Sequence, residues 1–82
     1  MAQDAQEVLD GLTEIVAEET GLEVAEIAAD KSFSDDLGID SLSMMTIVTL
    51  AEDKFGVEIP DEQVKDLATV QDAVDFIAAQ AA

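Results

Sequence analysis

The residues best placed to support chemistry are Asp40 and Ser41, within the segment Asp36-Leu37-Gly38-Ile39-Asp40-Ser41-Leu42-Ser43. Gly38 indicates a turn, Asp40 is a good helix N-cap, and an apolar-rich segment follows immediately. This pattern predicts that the Ser41 hydroxyl lies in the first turn of a helix, exposed beside free backbone N–H groups. Because a helix N-terminus favours negative charge and can hold phosphate, the geometry suits a serine that carries a phosphate-linked group.

Ser41 lacks the partners that a catalytic serine needs. The chain has no His and no Cys, which excludes a Ser-His-Asp triad, a thiolate nucleophile and a Cys/His zinc site. No Ser is followed by Lys three residues later, and Ser41 lacks the flanking glycines of a nucleophile elbow. An EF-hand starting at Asp30 fails, because Asp35 stands at the required glycine and Ser41 at the required glutamate. We therefore expect no catalytic residue and no dedicated metal site, only diffuse binding of divalent cations.

The charge of the chain restricts its partners. It carries 20 acidic residues against 3 lysines, a formal net charge of −17. Nucleic acids and anionic membrane surfaces bind through Lys and Arg, so neither is expected as a partner, whereas basic protein surfaces should be attracted. No apolar segment approaches the roughly 20 residues that span a bilayer, and residues 1–4 lack the features of a signal peptide. We expect a monomer located in the cytoplasm.

The elements that must position Ser41 are predicted to be helices within one domain, residues 1–82. Apolar residues at helical spacing predict a first helix over residues 4–19, whose buried face contains Val8, Leu9, Leu12, Ile15 and Val16. Residues 21–40 form a long connection, with one short turn expected within residues 24–29. Its Phe33 is predicted to close the end of the helical bundle.

The second half of the chain continues this helical pattern. A second helix is predicted over residues 41–55, ending at Gly56. Residues 57–60 should be extended, because the residue before a proline avoids the α region. A short helix is expected over residues 61–66, and Thr69 is predicted to start the last helix with a variant capping box.

The second helix has two distinct faces. Its core stripe is predicted to contain Met44, Val48, Ala51 and Phe55. Its exposed side is predicted to contain Leu42, Met45, Thr46, Thr49 and Asp53. Exposed Leu42 and Met45 close to Ser41 suggest a docking surface, although single exposed apolar residues are also common without any function. Leu50 fits neither face.

Four segments carry a resemblance to a known family: Asp36-Leu37-Gly38-Ile39-Asp40-Ser41-Leu42, Phe55-Gly56-Val57, Ile59-Pro60-Asp61 and Thr69-Val70. Their order and spacing resemble an acyl carrier protein of the free-standing bacterial fatty-acid-synthesis type. The resemblance implies an all-α four-helix bundle with a long loop between helices 1 and 2 and a short third helix. It also implies that a separate phosphopantetheinyl transferase moves 4′-phosphopantetheine from coenzyme A onto Ser41. Acyl chains would then travel as thioesters on the terminal thiol of this arm.

The resemblance also implies roles for further residues. Asp40 and Leu42 flank the attachment serine, and Asp40 would assist the transferase. Leu42 and Met45 would contact partner enzymes of fatty acid synthesis. Carboxylates implied to meet the basic patches of those enzymes are Glu52, Asp53 and Asp61. Residues implied to line an acyl pocket are Val48, Ala51, Phe55, Ile59, Val64 and Leu67. Positions that depart from the acidic residues common in this family are Ser43, Thr46 and Lys54.

Two alternatives stay open at this point. One is a carrier for a polyketide or another specialised pathway, which the native acyl load would distinguish. The other is an acidic adaptor or cation-binding protein that carries no arm, which an intact-mass measurement after incubation with coenzyme A and a transferase would distinguish.

Overall fold

The computed structural model describes residues 4–81. Outside the described residues lie residue 82 and residues 1–3, on which part of the signal-peptide prediction rests. Four α-helices follow one another in the described part: α1 (Ala5–Thr20), α2 (Ser41–Phe55), α3 (Asp61–Val64) and α4 (Val70–Ala81). A 3₁₀ turn at Val24–Glu26 interrupts the long loop between α1 and α2, where the short turn was expected. The all-α arrangement with a long first loop and a short third helix is as predicted.

Helix α1 begins and ends where its local sequence specifies. The Asp4 carboxylate accepts the backbone N–H of Glu7 at 2.8 Å and caps the N-terminus. At the other end, the N–H of Gly21 donates to the carbonyl of Ala17 at 2.8 Å. The predicted apolar face is confirmed, with Leu9 half-buried and the remaining members fully buried: Val8, Leu12, Ile15 and Val16.

Gly11 lets helices α1 and α2 approach each other closely. A Cβ atom built on Gly11 would lie 2.8 Å from Phe55 Cζ and 2.8 Å from Lys54 Cε. Distances this short do not occur for real Cβ atoms, so the Phe55 ring occupies space that any other residue at position 11 would fill. A glycine that lowers intrinsic helix propensity is therefore explained by packing.

Helix α3 is shorter than predicted. It ends at Val64 rather than at residue 66, and a turn at residues 65–66 follows it. Leu67 is buried beyond the helix, whereas Val64 is only half-buried. Helix α4 then begins with the predicted capping box, because Thr69 Oγ1 accepts the Asp72 N–H and Asp72 Oδ2 accepts the Thr69 N–H, both at 3.2 Å.

One buried apolar cluster joins these elements. Helix α1 packs extensively against both α2 and α4 and so forms the centre of the arrangement. The long loop adds three buried side chains to the same cluster, those of Ile27, Phe33 and Ile39. The loop is therefore held against the bundle by apolar burial, which places the segment before Ser41 in a defined position.

Candidate functional site

The segment before Ser41 is closed by hydrogen bonds between Ser32 and Asp36. The Asp36 carboxylate accepts the backbone N–H of Ser32 at 2.9 Å and its hydroxyl at 3.3 Å, while Ser32 Oγ accepts the Asp36 N–H at 3.1 Å. The backbone N–H of Ser32 is the main reason why the pKa of Asp36 lies below its ordinary value. Sequence reasoning quoted Asp36 as part of a motif without a role, and the structure shows that it closes this turn.

Backbone hydrogen bonds connect the same loop to the start of α4 and close its last residues on themselves. The N–H of Phe33 donates to the carbonyl of Ala68 at 3.0 Å, and the N–H of Val70 donates to the carbonyl of Lys31 at 3.0 Å. The N–H of Ile39 donates to the carbonyl of Phe33 at 2.8 Å. Between these anchors Gly38 has φ +66°, a left-handed conformation that glycine adopts without strain. The chain therefore enters α2 from a fixed direction.

Asp40 caps helix α2 and leaves the Ser41 side chain outside. Its carboxylate accepts the backbone N–H of Ser43 at 2.8 Å, and its carbonyl accepts the N–H of Met44 at 2.9 Å. The Ser43 N–H holds the pKa of Asp40 below its ordinary value. Ser41 is the first residue of α2 and is exposed. The predicted position of the serine on the first turn is confirmed.

A cavity of about 600 Å³ opens beside Ser41. It lies between the N-terminal half of α2, the end of the long loop, and α3 with the residues that follow it. Its apolar lining comes from Phe33, Ile39, Met44, Met45, Val64, Leu67 and Ala68. Its ionisable lining residues are Asp35, Asp40, Asp61 and Lys65. An exposed hydroxyl therefore stands at the edge of a largely apolar space, which suits a group tethered to that hydroxyl with an apolar end.

Comparison with known proteins places this site in a family. A family model described as the phosphopantetheine attachment site matches residues 10–77. An acyl carrier protein of Myxococcus xanthus is 72% identical over 72 residues, which are 88% of this chain and 91% of that relative. An acyl carrier protein of Beutenbergia cavernae is 67% identical over 78 residues, which are 95% of each chain. The chain belongs to the acyl carrier protein family.

A solved structure agrees with this result. The acyl carrier protein from Enterococcus faecalis matches with a TM-score of 0.80 and 35% sequence identity, over 95% of this chain and 99% of that one. The likeness confirms the predicted four-helix fold. The carrier's cofactor is 4′-phosphopantetheine, which supplies a terminal thiol for thioester formation. The site fits this group, because an exposed serine hydroxyl adjoins a cavity with a mainly apolar lining.

Two of the six residues predicted to line an acyl pocket also line the carrier's cavity. These two are Val64 and Leu67. The other four predicted lining residues are buried in the core and do not line it: Val48, Ala51, Phe55 and Ile59. The core stripe of α2 serves helix packing, and the Phe55 ring lies against Gly11. Contact of all six residues with an acyl chain stays a prediction.

Sequence reasoning missed several residues that do line the carrier's cavity. Met44 was placed in the core stripe, and Phe33 was predicted only to close the bundle; both are buried, and both also line the cavity. Ile39 and Lys65 were given no role. Helical spacing could have indicated Met44, which lies three residues after Ser41 and therefore on the same side of α2. Nothing local indicates Phe33, because it reaches the cavity through the path of the loop.

Three of the four predicted docking residues on α2 are exposed. Leu42 is 79% exposed and Met45 is 40% exposed, and Asp53 is exposed further along the helix. Leu50, which the pattern left unassigned, is also exposed. Asp61 lies in the first turn of α3 and lines the cavity. Contact of these residues with partner enzymes stays a prediction.

Glu52 has a different environment from the other predicted docking carboxylates. It is half-buried, and its Oε2 accepts the backbone N–H of Ile59 at 2.7 Å. This hydrogen bond joins the end of α2 to the connector that leads to α3. Its role as a docking residue stays a prediction, but the structure also gives it an internal partner.

Within residues 4–81, no group of three or more His, Cys, Asp or Glu side chains is arranged to hold a metal ion. Among the helices of that same range, none has the length and apolar character needed to cross a membrane.

Proposed function

We propose that Ser41 Oγ is the attachment point of the 4′-phosphopantetheine arm, and that the carrier presents acyl thioesters to enzymes of fatty acid synthesis. The observation that supports this most directly is the position of the Ser41 hydroxyl. It is exposed on the first turn of α2 and lies at the edge of the 600 Å³ cavity. An arm starting there can extend into solvent or direct its apolar load into the cavity.

The chemistry of attachment needs a second protein. A bond forms between Ser41 Oγ and the phosphorus next to pantetheine in coenzyme A, and the bond from that phosphorus to the adenosine bisphosphate leaving group breaks. The serine proton must go to a base. Asp40 is a poor proton acceptor near neutral pH, because its pKa is lowered by the Ser43 N–H. A phosphopantetheinyl transferase would therefore supply the base, together with magnesium, while Asp40 keeps the first turn of α2 in place.

The cavity provides the second part of the proposed function. Apolar side chains from the loop, α2 and α3 surround a space of about 600 Å³, within the usual range for small-molecule sites. An acyl chain placed there would remove apolar surface from water, at about 25 cal/mol for each Å² buried. Of the six residues predicted to line an acyl pocket, Val64 and Leu67 would then contact the chain in the cavity itself. The other four would lie in the core around it.

The exposed side of α2 and the first turn of α3 are the proposed docking surface for partner enzymes. Leu42 and Met45 offer apolar contacts beside the attachment serine, and Asp53 and Asp61 offer negative charge. A protein with a net charge of −17 attracts basic surfaces over long distances, which raises association rates at low salt. We infer that the carrier acts as a monomer in the cytoplasm and depends on its partners for all catalysis.

Intact-mass spectrometry tests the attachment site. The purified chain is incubated with coenzyme A, magnesium and a phosphopantetheinyl transferase. We expect a gain of one phosphopantetheine group in the wild type and in Ser43→Ala, and no gain in Ser41→Ala. Ser43 is a matched control because it lies two residues away in the same helical turn. A modified Ser41→Ala variant, or an unmodified wild type, would refute the assignment.

A further inference from the structure

The connector between α2 and α3 is held by side chains from two helices. Glu52 of α2 accepts the backbone N–H of Ile59 at 2.7 Å. Gln80 of α4 donates from Nε2 to the carbonyl of Glu58 at 2.6 Å, and its Oε1 accepts the Glu58 N–H at 3.5 Å. Residues 57–60 form no regular secondary structure, so these side chains replace the backbone partners that a helix or sheet would provide.

Glu52 is the stronger of the two anchors. Its carboxylate makes a charge-assisted hydrogen bond and is half-buried, two conditions that strengthen such a bond. Its backbone carbonyl accepts the N–H groups of Gly56 at 2.9 Å and Val57 at 3.2 Å. One residue therefore ends α2 with its main chain and fixes the connector with its side chain.

The position of α3 depends on this connector. Helix α3 has four residues and starts directly after Pro60, whereas the helix pairs that pack extensively are α1 with α2 and α1 with α4. An isolated helix of this length is not stable in water, so its place must be set by the segments on either side. Two of its residues, Asp61 and Val64, line the cavity beside Ser41.

We propose that Glu52 is a positioning residue: through its hydrogen bond to Ile59 it holds α3 as a wall of the cavity and thereby shields a bound acyl chain. The inference rests on the proposed function, because it takes the cavity as the place where the acyl chain lies. In this proposal Glu52 works inside the protein, where its carboxylate oxygen accepts a hydrogen bond, and not by attracting partner enzymes with its charge.

The test separates the hydrogen bond from the charge. Glu52→Gln keeps a side-chain oxygen at the same number of bonds from the backbone and removes the charge, whereas Glu52→Ala removes both the oxygen and the charge. In the unloaded protein, amide hydrogen exchange of Ile59 should become about tenfold faster or more in Glu52→Ala, the factor expected for losing a hydrogen bond to a charged acceptor. In Glu52→Gln it should stay much closer to the wild type.

The second measurement concerns the acyl chain. Each variant is loaded with an octanoyl or an acetyl arm from the corresponding acyl-coenzyme A by a transferase, and cleavage of the thioester by hydroxylamine is followed by intact mass. We expect the octanoyl thioester to be cleaved severalfold faster in Glu52→Ala than in the wild type or Glu52→Gln. The acetyl thioester, which is too short to occupy the cavity, should be cleaved at the same rate in all three.

A control accounts for general loss of stability. Asp4→Ala removes the N-cap of α1, which is not part of the cavity lining, and should leave octanoyl cleavage unchanged. Equal octanoyl protection in Glu52→Ala and the wild type would overturn the proposal, as would unchanged exchange at Ile59 or a Glu52→Gln variant that behaves like Glu52→Ala. Failure to load any arm would instead refute the attachment at Ser41, and the exchange experiment would still decide the role of Glu52.

Discussion

Replacing Gly11 with alanine should destabilise this protein, although the same change stabilises most helices. Gly11 lies inside α1, where alanine is favoured by about 1 kcal/mol in an open helix. Here the new methyl group would lie 2.8 Å from Phe55 Cζ and 3.1 Å from Phe55 Cε1. The Lys54 stem, also 2.8 Å away, can move because it is the far end of a flexible side chain. The ring cannot move as freely, since Phe55 is only 7% exposed.

The size of the effect follows from the cost of overpacking and the gain in helix propensity. Overpacking a core typically costs about 1–3 kcal/mol, and the gain in helix propensity offsets about 1 kcal/mol of that. We therefore expect Gly11→Ala to lower the free energy of unfolding by about 1 kcal/mol, a large part of the total for a chain of this size. With a urea m-value of about 1–3 kcal/mol/M, the unfolding midpoint should fall by roughly 0.3–1 M.

A double-mutant cycle identifies the contact responsible. Urea unfolding followed by circular dichroism is measured for the wild type, Gly11→Ala, Phe55→Leu and the double variant. Leucine at position 55 leaves room for the methyl group, so Gly11→Ala should become stabilising in that background, by up to about 1 kcal/mol. If Gly11→Ala stabilises the wild type, or has the same effect in both backgrounds, contact with the Phe55 ring is not the reason for a glycine at position 11.

Three further predictions concern charge and docking. The pKa of the Asp40 carboxyl is lower in the folded state than in the unfolded chain, where it is about 3.9. The ionised carboxylate therefore stabilises the fold fully above that unfolded pKa, and this stabilisation is lost as the pH falls through the lower folded pKa. The stability difference between the wild type and Asp40→Asn should therefore be constant from pH 7 to 5 and decline below about pH 4. Added salt or divalent cations should raise the melting temperature, because they screen the repulsion within a chain of net charge −17. Met45→Glu should weaken turnover by partner enzymes while leaving the far-ultraviolet circular dichroism unchanged, because Met45 is 40% exposed.

Each of these predictions has a clear contrary result. A pH-independent difference between the wild type and Asp40→Asn would mean that the capping hydrogen bond does not depend on ionisation. Melting that stays constant with salt at neutral pH would show that repulsion is unimportant. For docking, Ala79→Glu adds the same charge at an exposed position of α4, and an equal loss of turnover in that control would remove the special role of Met45. Unfolding of Met45→Glu would show that its side chain is needed in the core.

The sequence alone determined the helices and the serine at the start of α2. Caps such as Asp40 and Gly56, and the spacing of apolar residues, act within one or two turns of the chain, so α2 was predicted with its observed bounds. The family resemblance rested on this segment together with three short ones further along the chain, at residues 55–57, 59–61 and 69–70. Exclusion argued against a catalytic serine, because a chain without His or Cys lacks the usual activating partners, and the resemblance alone implied the 4′-phosphopantetheine arm.

Only the tertiary structure decided what surrounds that serine. Phe33 reaches the cavity because its N–H is bonded to Ala68, thirty-five positions along the chain, and no local pattern contains that pairing. Glu52 reads as one more surface carboxylate until its contact with Ile59 is seen. Gly11 reads as a defect until the Phe55 ring is placed against it. Local rules act through the backbone, whereas a cavity is the space left between side chains from distant segments, and only the folded chain defines that space.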